Sequence, residues 1–323
     1  MEKIKELKKK KNVVGYVEEN GQVTVFVSKK LKMDAIEKKI QDPKTPWKES
    51  DVIPKTLKTG FRKKKETDVI ETGEFHALAV DRTKYRPILG GCEISPQGKN
   101  WVGTGGAVVK KKEKKPDLNW WQRFVYLILK TLKLQDMIDD LGYESPEESN
   151  ENYLLTNAHV TQDDVSNPIK DIDIVQPGMT SFYIGQVVDT EPINPSAENE
   201  IDASLIVLDE DAEFKMVNGA VPDGYGEAEV GEKVIKYGRT TRLSSGTLQQ
   251  KNVTVAINYG GSTGVVWFKG CDMYSYMSTS GDSGSVILAV NDMAAVGLLF
   301  AGSSTRTIAI PMPKVVKRFN ISF

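Results

Sequence analysis

A serine set between glycines, an imidazole at the end of an apolar run and a carboxylate at the mouth of another can act together on an acyl bond. Such chemistry needs a hydroxyl on a tight turn and a neutral imidazole to take its proton. It also needs a carboxylate to orient that imidazole, and backbone N–H groups aimed at the developing oxyanion. The run Thr279-Ser280-Gly281-Asp282-Ser283-Gly284-Ser285 offers the turn. Its glycines let the backbone curl so that the N–H groups of Gly281 and Ser283 point into one concavity. Surface loops share this composition, so the motif takes its meaning from the rest of the chain.

The chain has two histidines, His76 and His159. His159 lies in Leu154-Leu155-Thr156-Asn157-Ala158-His159-Val160, where an apolar strand ends in a polar turn. A base must stand at such a place to be fixed by a core yet face a cleft. His76, in Glu74-Phe75-His76-Ala77-Leu78, reads as an ordinary strand residue. Among the carboxylates, Asp202 directly precedes the apolar run Ala203-Ser204-Leu205-Ile206-Val207-Leu208. A carboxylate there is desolvated and can still be satisfied by an imidazole N–H. Asp209, at the far end of that run, and Asp173, in a looser acidic stretch, are the weaker alternatives.

The elements that would hold these groups are short strands. From about residue 67 apolar runs alternate with Gly, Asn, Asp and Pro, as in Gly106-Ala107-Val108-Val109, Tyr153-Leu154-Leu155, Val253-Thr254-Val255-Ala256-Ile257 and Ser285-Val286-Ile287-Leu288. That rhythm predicts β-barrels or sandwiches. Residues 1–66 differ, being rich in lysine and short of core. Within them Val13–Val17 and Val23–Val27 flank Asn20-Gly21, a hairpin signal because this pair tolerates the positive φ of a type I′ turn. Leu31 to Ile40 reads as a short helix and residues 41–66, with Pro43, Pro46 and Pro54, as a linker.

Residues 110–150 break the strand rhythm. Trp121, Phe124, Ile128 and Leu132 share one helical face, while Gln122, Arg123, Lys130 and Lys133 lie largely elsewhere. The expectation is a helical insertion near 116–142 whose apolar face packs on the barrel or on a neighbouring copy in a homo-oligomer. A membrane surface touching Trp120–Leu134 is the other reading of a basic amphipathic helix.

With 43 basic and 44 acidic residues and a net charge of −1, bulk attraction to nucleic acid is not expected. The clusters Lys8–Lys11 and Lys110–Lys115 read as a solvated end and a solvated loop. The basic start lacks a following apolar run or cleavage site, and no run approaches the ~18 apolar residues of a spanning helix. The expected compartment is cytoplasmic, with Cys92 and Cys271 as reduced thiols. No metal or cofactor is expected, since Asp163, Asp164, Asp171 and Asp173 read as solvated loop acids.

Thr104-Gly105-Gly106-Ala107-Val108, Leu155-Thr156-Asn157-Ala158-His159-Val160, Asp202-Ala203-Ser204-Leu205 and Gly281-Asp282-Ser283-Gly284-Ser285 follow the His…Asp…Ser order. In this the chain resembles chymotrypsin/trypsin-like serine proteases, and subtilisin-like and α/β-hydrolase enzymes run the three in other orders. It is similar in particular to the branch containing the plant Narrow Leaf protein and its bacterial trypsin-like relatives. Arg86-Pro87-Ile88-Leu89-Gly90-Gly91, Lys236-Tyr237-Gly238-Arg239-Thr240-Thr241 and Ile257-Asn258-Tyr259-Gly260-Gly261 carry that likeness.

The resemblance implies a mainly β, chymotrypsin-like double β-barrel beside a small α+β N-terminal region. Residues 67–215 would form the first barrel, with the helical insertion, and 216–323 the second, carrying Ser283. His159, Asp202 and Ser283 would be catalytic, with the oxyanion held by the N–H groups of Gly281 and Ser283. Phe300-Ala301-Gly302 would pair with a protein or peptide substrate as an added strand. Met277, six before the serine, would floor the first specificity pocket and select an apolar or small residue. No cleaved N-terminus is evident to pair with Asp282, so activation through such an ion pair is not expected.

Overall fold

Alternating β-branched and aliphatic residues fold as strands here because both faces of most strands find apolar cover. The protein is described by a computed structural model that covers residues 10, 13–19, 22–27, 67–71, 82–112, 120–134, 137, 149–261 and 263–323. The expected helix at 31–40, the linker at 41–66 and His76 lie outside the described residues.

Two rings of strands carry the site. In the first, Cys92–Pro96 pairs with Gly103–Gly105, and the chain runs on through Gly106 into Ala107–Lys111. The ring continues through Tyr153–Thr156, Ser204–Leu208, Tyr183–Thr190 and Asp173–Val175, which returns to Cys92–Pro96. In the second, Lys233–Gly238, Arg242–Asn258, Val265–Ser275, Arg306–Pro311, Ala295–Gly302 and Val286–Ala289 follow one another and close on Lys233–Gly238. Every pairing in the second ring is antiparallel, and the ring closes on itself. The chain is thus mainly β, with the double-barrel architecture that the sequence implies.

The hairpin Val13–Glu19/Gln22–Val27 meets at Glu19 opposite Gln22, and it docks on the second ring through Gly15 opposite Val255. Thr67–Glu71 lies parallel to Gln22–Val27 on its outer side. After the helix Met312–Phe319 the chain crosses back, and Ile321 pairs with Lys111 of the first ring.

Each ring encloses its own core, with Ile94, Leu154 and Ile206 in the first and Val234, Leu248 and Leu299 in the second. A further cluster containing Leu155, Leu205, Phe268, Phe300 and Ile308 joins them. Tyr153–Thr156 is buried along its whole length, Leu154 facing one cluster and Leu155 the other. Burying such a side chain stabilises by roughly 1.5–3 kcal/mol. Cys92 and Cys271 are buried free thiols, one in each ring.

One core carboxyl makes stability depend on pH. Asp272 is 3% exposed in Val265–Ser275. Burial, helped by Glu227 and opposed by Lys251, pushes its pKa up to about 7. With the folded value above the unfolded one, the proton stabilises the fold fully below about pH 4, and that contribution is lost as pH rises through about 7. Asp272→Asn is therefore expected to raise the unfolding free energy from urea denaturation at pH 8 by an amount on the order of 1–3 kcal/mol. The gain should shrink at pH 5, and an equal gain at both pH values would reject this account.

Of the expected insertion at 116–142, residues 116–119, 135–136 and 138–142 lie outside the described residues, which include the helix Trp120–Thr131. Its apolar face does not pack on the barrel. Leu129 turns inward and is buried, whereas Trp120 is 76%, Trp121 56% and Leu127 61% exposed. The inward side of the helix is too narrow to cover an apolar arc that wraps round to the aromatic positions.

Candidate active site

The buried strand Tyr153–Thr156 ends at Asn157, and the chain turns into the one-turn helix Ala158–Thr161. Ala158 and Val160 point into the core, which leaves the His159 ring at the surface of the cleft, 11% exposed. Asn157 ties this turn to the next strand by donating from Nδ2 to the Asp202 carbonyl at 2.7 Å.

Asp202 has no exposed surface, and its carboxylate is satisfied from three directions. The His159 ring meets it through Nδ1 at 2.5 Å from Oδ2, and the His159 backbone N–H donates to Oδ1 at 3.3 Å. The third donor comes from the second ring: the Tyr259 hydroxyl gives its proton to Oδ2 at 2.7 Å. Tyr259 also sets its ring edge-on to the imidazole, with centroids 5.6 Å apart. Burial, reinforced by the Asp202 charge, holds the Tyr259 phenol well above the usual tyrosine range, so it stays a donor. Three donors on one buried carboxylate offset the cost of taking it out of water.

The serine turn is stitched to the first ring. Thr104 donates its N–H to the Ser283 carbonyl at 2.8 Å and its hydroxyl to the Gly281 carbonyl at 2.5 Å. Backbones approach so closely that a Cβ on Gly284 (φ +95°) would stand 2.0 Å from the Thr104 carbonyl oxygen, and one on Gly106 would stand 2.1 Å from the Gly284 oxygen. Gly284 also brings the turn against Thr156, three residues before His159. Ring contacts run from His159 through Tyr259 and Phe268 to Phe300, whose carbonyl accepts the Ser283 hydroxyl at 3.4 Å. Nε2 of His159 is buried with no hydrogen-bond partner, and among the described residues no bond joins it to Ser283 Oγ. Catalytic hydrogen bonds are often open in ligand-free proteins and tighten in the complex.

Within the turn, Asp282, Gly284 and Ser285 donate their N–H groups to the carbonyls of Thr279, Leu299 and Asp282. Among the described residues the N–H groups of Gly281 and Ser283 meet no acceptor. The carbonyl of Ser280 is held by the Thr240 hydroxyl. In a trans peptide the following N–H points the opposite way, so that of Gly281 faces away from Thr240.

Asp282 pairs with a side-chain cation, Lys236. It is fully buried 3.0 Å from Lys236 Nζ, and it also accepts from the N–H groups of Thr240, Thr241 and Thr279 and from the Thr241 hydroxyl. Lys236 donates to the Thr241 hydroxyl as well. Its pKa is lowered by burial, against which the Asp282 charge works.

Met277, six residues before Ser283, is buried. It lies two residues beyond the strand Val265–Ser275 and belongs to the second core, with its Sδ against Gly246. Ser278 takes the place beside Gly302, and its hydroxyl shares a 2.7 Å hydrogen bond with Thr307. Phe300, Ala301 and Gly302 end a strand that pairs with Arg306–Pro311 on one side, while its pairing with Val286–Ala289 stops at Leu298. Asp173 accepts from Gln186 and Asp209 from Tyr183, so neither serves His159. Tyr259 and Lys236 escaped assignment from sequence. Lys236 was traceable as a charge on the inward side of an alternating strand, between Val234 and Gly238.

A family model described as Trypsin matches residues 149–321, more than half of the chain. Solved structures with a similar fold include Thermobifida fusca Protease A (17% identity, TM-score 0.47, covering 72% of this chain and 96% of that one). Another is Nocardiopsis Protease (17%, TM-score 0.46, 72% and 97%). A third is Cellulomonas bogoriensis chymotrypsin (16%, TM-score 0.46, 72% and 96%). No curated protein matches the sequence.

Proposed function

The chain belongs to the trypsin family, and from that premise we propose that it is a serine endopeptidase working through Ser283, His159 and Asp202. His159 Nε2 takes the Ser283 proton as Oγ attacks the scissile carbonyl. The resulting oxyanion is held by the N–H groups of Gly281 and Ser283. The imidazolium then gives its proton to the leaving amine, and an acyl-enzyme remains. Water, deprotonated by the same Nε2, hydrolyses the ester and restores the serine. Asp202 keeps the Nδ1 proton in place and stabilises the imidazolium, and Tyr259 fixes Asp202.

The observation that carries this reading is the His159 ring seated on a fully buried, triply donated Asp202 carboxylate. Phe300–Gly302 lies beyond the end of the pairing with Val286–Ala289, and that side supports an extended peptide adding there as a strand. A Cβ on Gly302 would come within 3.1 Å of Ser278 Oγ, which supports a small side chain next to the scissile bond. Two buried free thiols support a reducing compartment such as the cytoplasm.

The second reading is a peptide-binding scaffold without turnover. One observation favours it: the Ser283 hydroxyl rests on the Phe300 carbonyl rather than on His159. Fluorophosphonate labelling separates the two, because only an activated serine reacts readily. A stoichiometric adduct mapped to Ser283 and absent from Ser283→Ala is expected. An unlabelled, folded wild type would favour the scaffold.

A further inference from the structure

The helix Trp120–Thr131 presents six large apolar side chains to solvent: Trp120, Trp121, Phe124, Leu127, Ile128 and, just beyond its end, Leu132. They occupy one continuous arc, and the helix rests on the protein through the other side, where Leu129 is buried and Val125 and Tyr126 are half-buried. An exposed patch of this kind marks a docking surface. We propose that this helix docks the protein on the surface of a lipid bilayer bearing anionic headgroups.

Size and charge select that occupant. A helix of 12 residues is about 18 Å long and ~10–12 Å wide, so one face has a footprint on the order of 200 Å². A stable pair of copies needs about 800 Å² from each. A bilayer asks for no shape complementarity and takes up an apolar arc of this width. Trp120 and Trp121 stack edge to face at 5.5 Å, and tryptophan favours the headgroup level. The stretch Trp120–Leu134 carries Arg123, Lys130 and Lys133 and no acid, and Lys110 to Lys115 precede it with five lysines. The acids around it are Glu113 and Asp117 before the helix and Asp136, Asp139 and Asp140 after Leu134, so lysines outnumber acids on the N-terminal side. Cations flanking an apolar arc suit an anionic surface. No helix among the described residues is long and apolar enough to cross a membrane, so the contact is a surface one.

Co-sedimentation of the full chain with phosphatidylcholine vesicles, with and without about one-third phosphatidylserine, tests this. The wild type should sediment with the phosphatidylserine vesicles at 0.1 M salt and be largely released at 0.5 M, since surface charge is screened there. Trp121→Ser/Phe124→Ser should bind at least tenfold less with an unchanged melting curve. Leu127→Ser, on the same face, replaces the double variant if that does not fold. The proposal is overturned if the wild type stays in the supernatant or if the variants bind as well as the wild type. It is equally overturned if light scattering shows a dimer that the variants break without any vesicle binding.

Discussion

Asp202→Asn is expected to lower kcat/KM about ten-thousand-fold with little loss of stability, the size seen when an orienting carboxylate is made an amide. The cause lies in the donors around that carboxylate. Tyr259 and the His159 backbone N–H both donate to Asp202, so an amide placed there must turn its single oxygen toward one of them. Because Tyr259 can turn its hydroxyl to accept and the backbone N–H cannot, the oxygen stays on the N–H of His159. The NH2 takes the place of Oδ2 against Nδ1, which has to accept. The imidazole proton moves to Nε2, and the ring can no longer take a proton from Ser283. Steady-state cleavage of a peptide that the wild type hydrolyses measures this. A loss under tenfold would remove Asp202 from the role.

Lys236→Met should damage both stability and rate. The lysine is buried against Asp282 at 3.0 Å, and removing it strands a carboxylate with no exposed surface. Breaking such a pair costs about 3–5 kcal/mol. Asp282 sits between the two residues whose N–H groups are unpaired, so when it shifts to find water or a proton, the concavity they form is distorted. Loss of one oxyanion donor costs about 100- to 1,000-fold in kcat, and a similar fall is expected in any Lys236→Met that still folds. Urea denaturation and kcat at low temperature read the two effects separately. Wild-type kcat from a destabilised variant would confine Lys236 to a structural role.

The parts of the molecule dictated by local chemistry are the parts legible in the sequence. Apolar runs of four to eight residues mark the strands, Asn20-Gly21 marks the hairpin, and Leu155–Val160 marks the strand end that delivers His159. Groups that matter through pairing across the chain are not legible that way. Tyr259 reaches Asp202 over 57 positions and Lys236 reaches Asp282 over 46, and nothing local announces either partner. Met277 shows the same limit: its distance from Ser283 in sequence does not say what its side chain packs against. For the insertion, periodicity identifies an amphipathic helix, yet what its apolar face meets depends on where the barrel lies.

Tyr259 grows from the second barrel but completes the carboxylate of the first. A chain with one barrel frayed, newly made or heat-loosened loses that hydrogen bond and the docking of Thr104 on the serine turn together. Hydrolytic competence is thereby tied to the integrity of the whole chain. Under the proposed mechanism, a partly unfolded copy would therefore lack an assembled site even with Ser283, His159 and Asp202 all present.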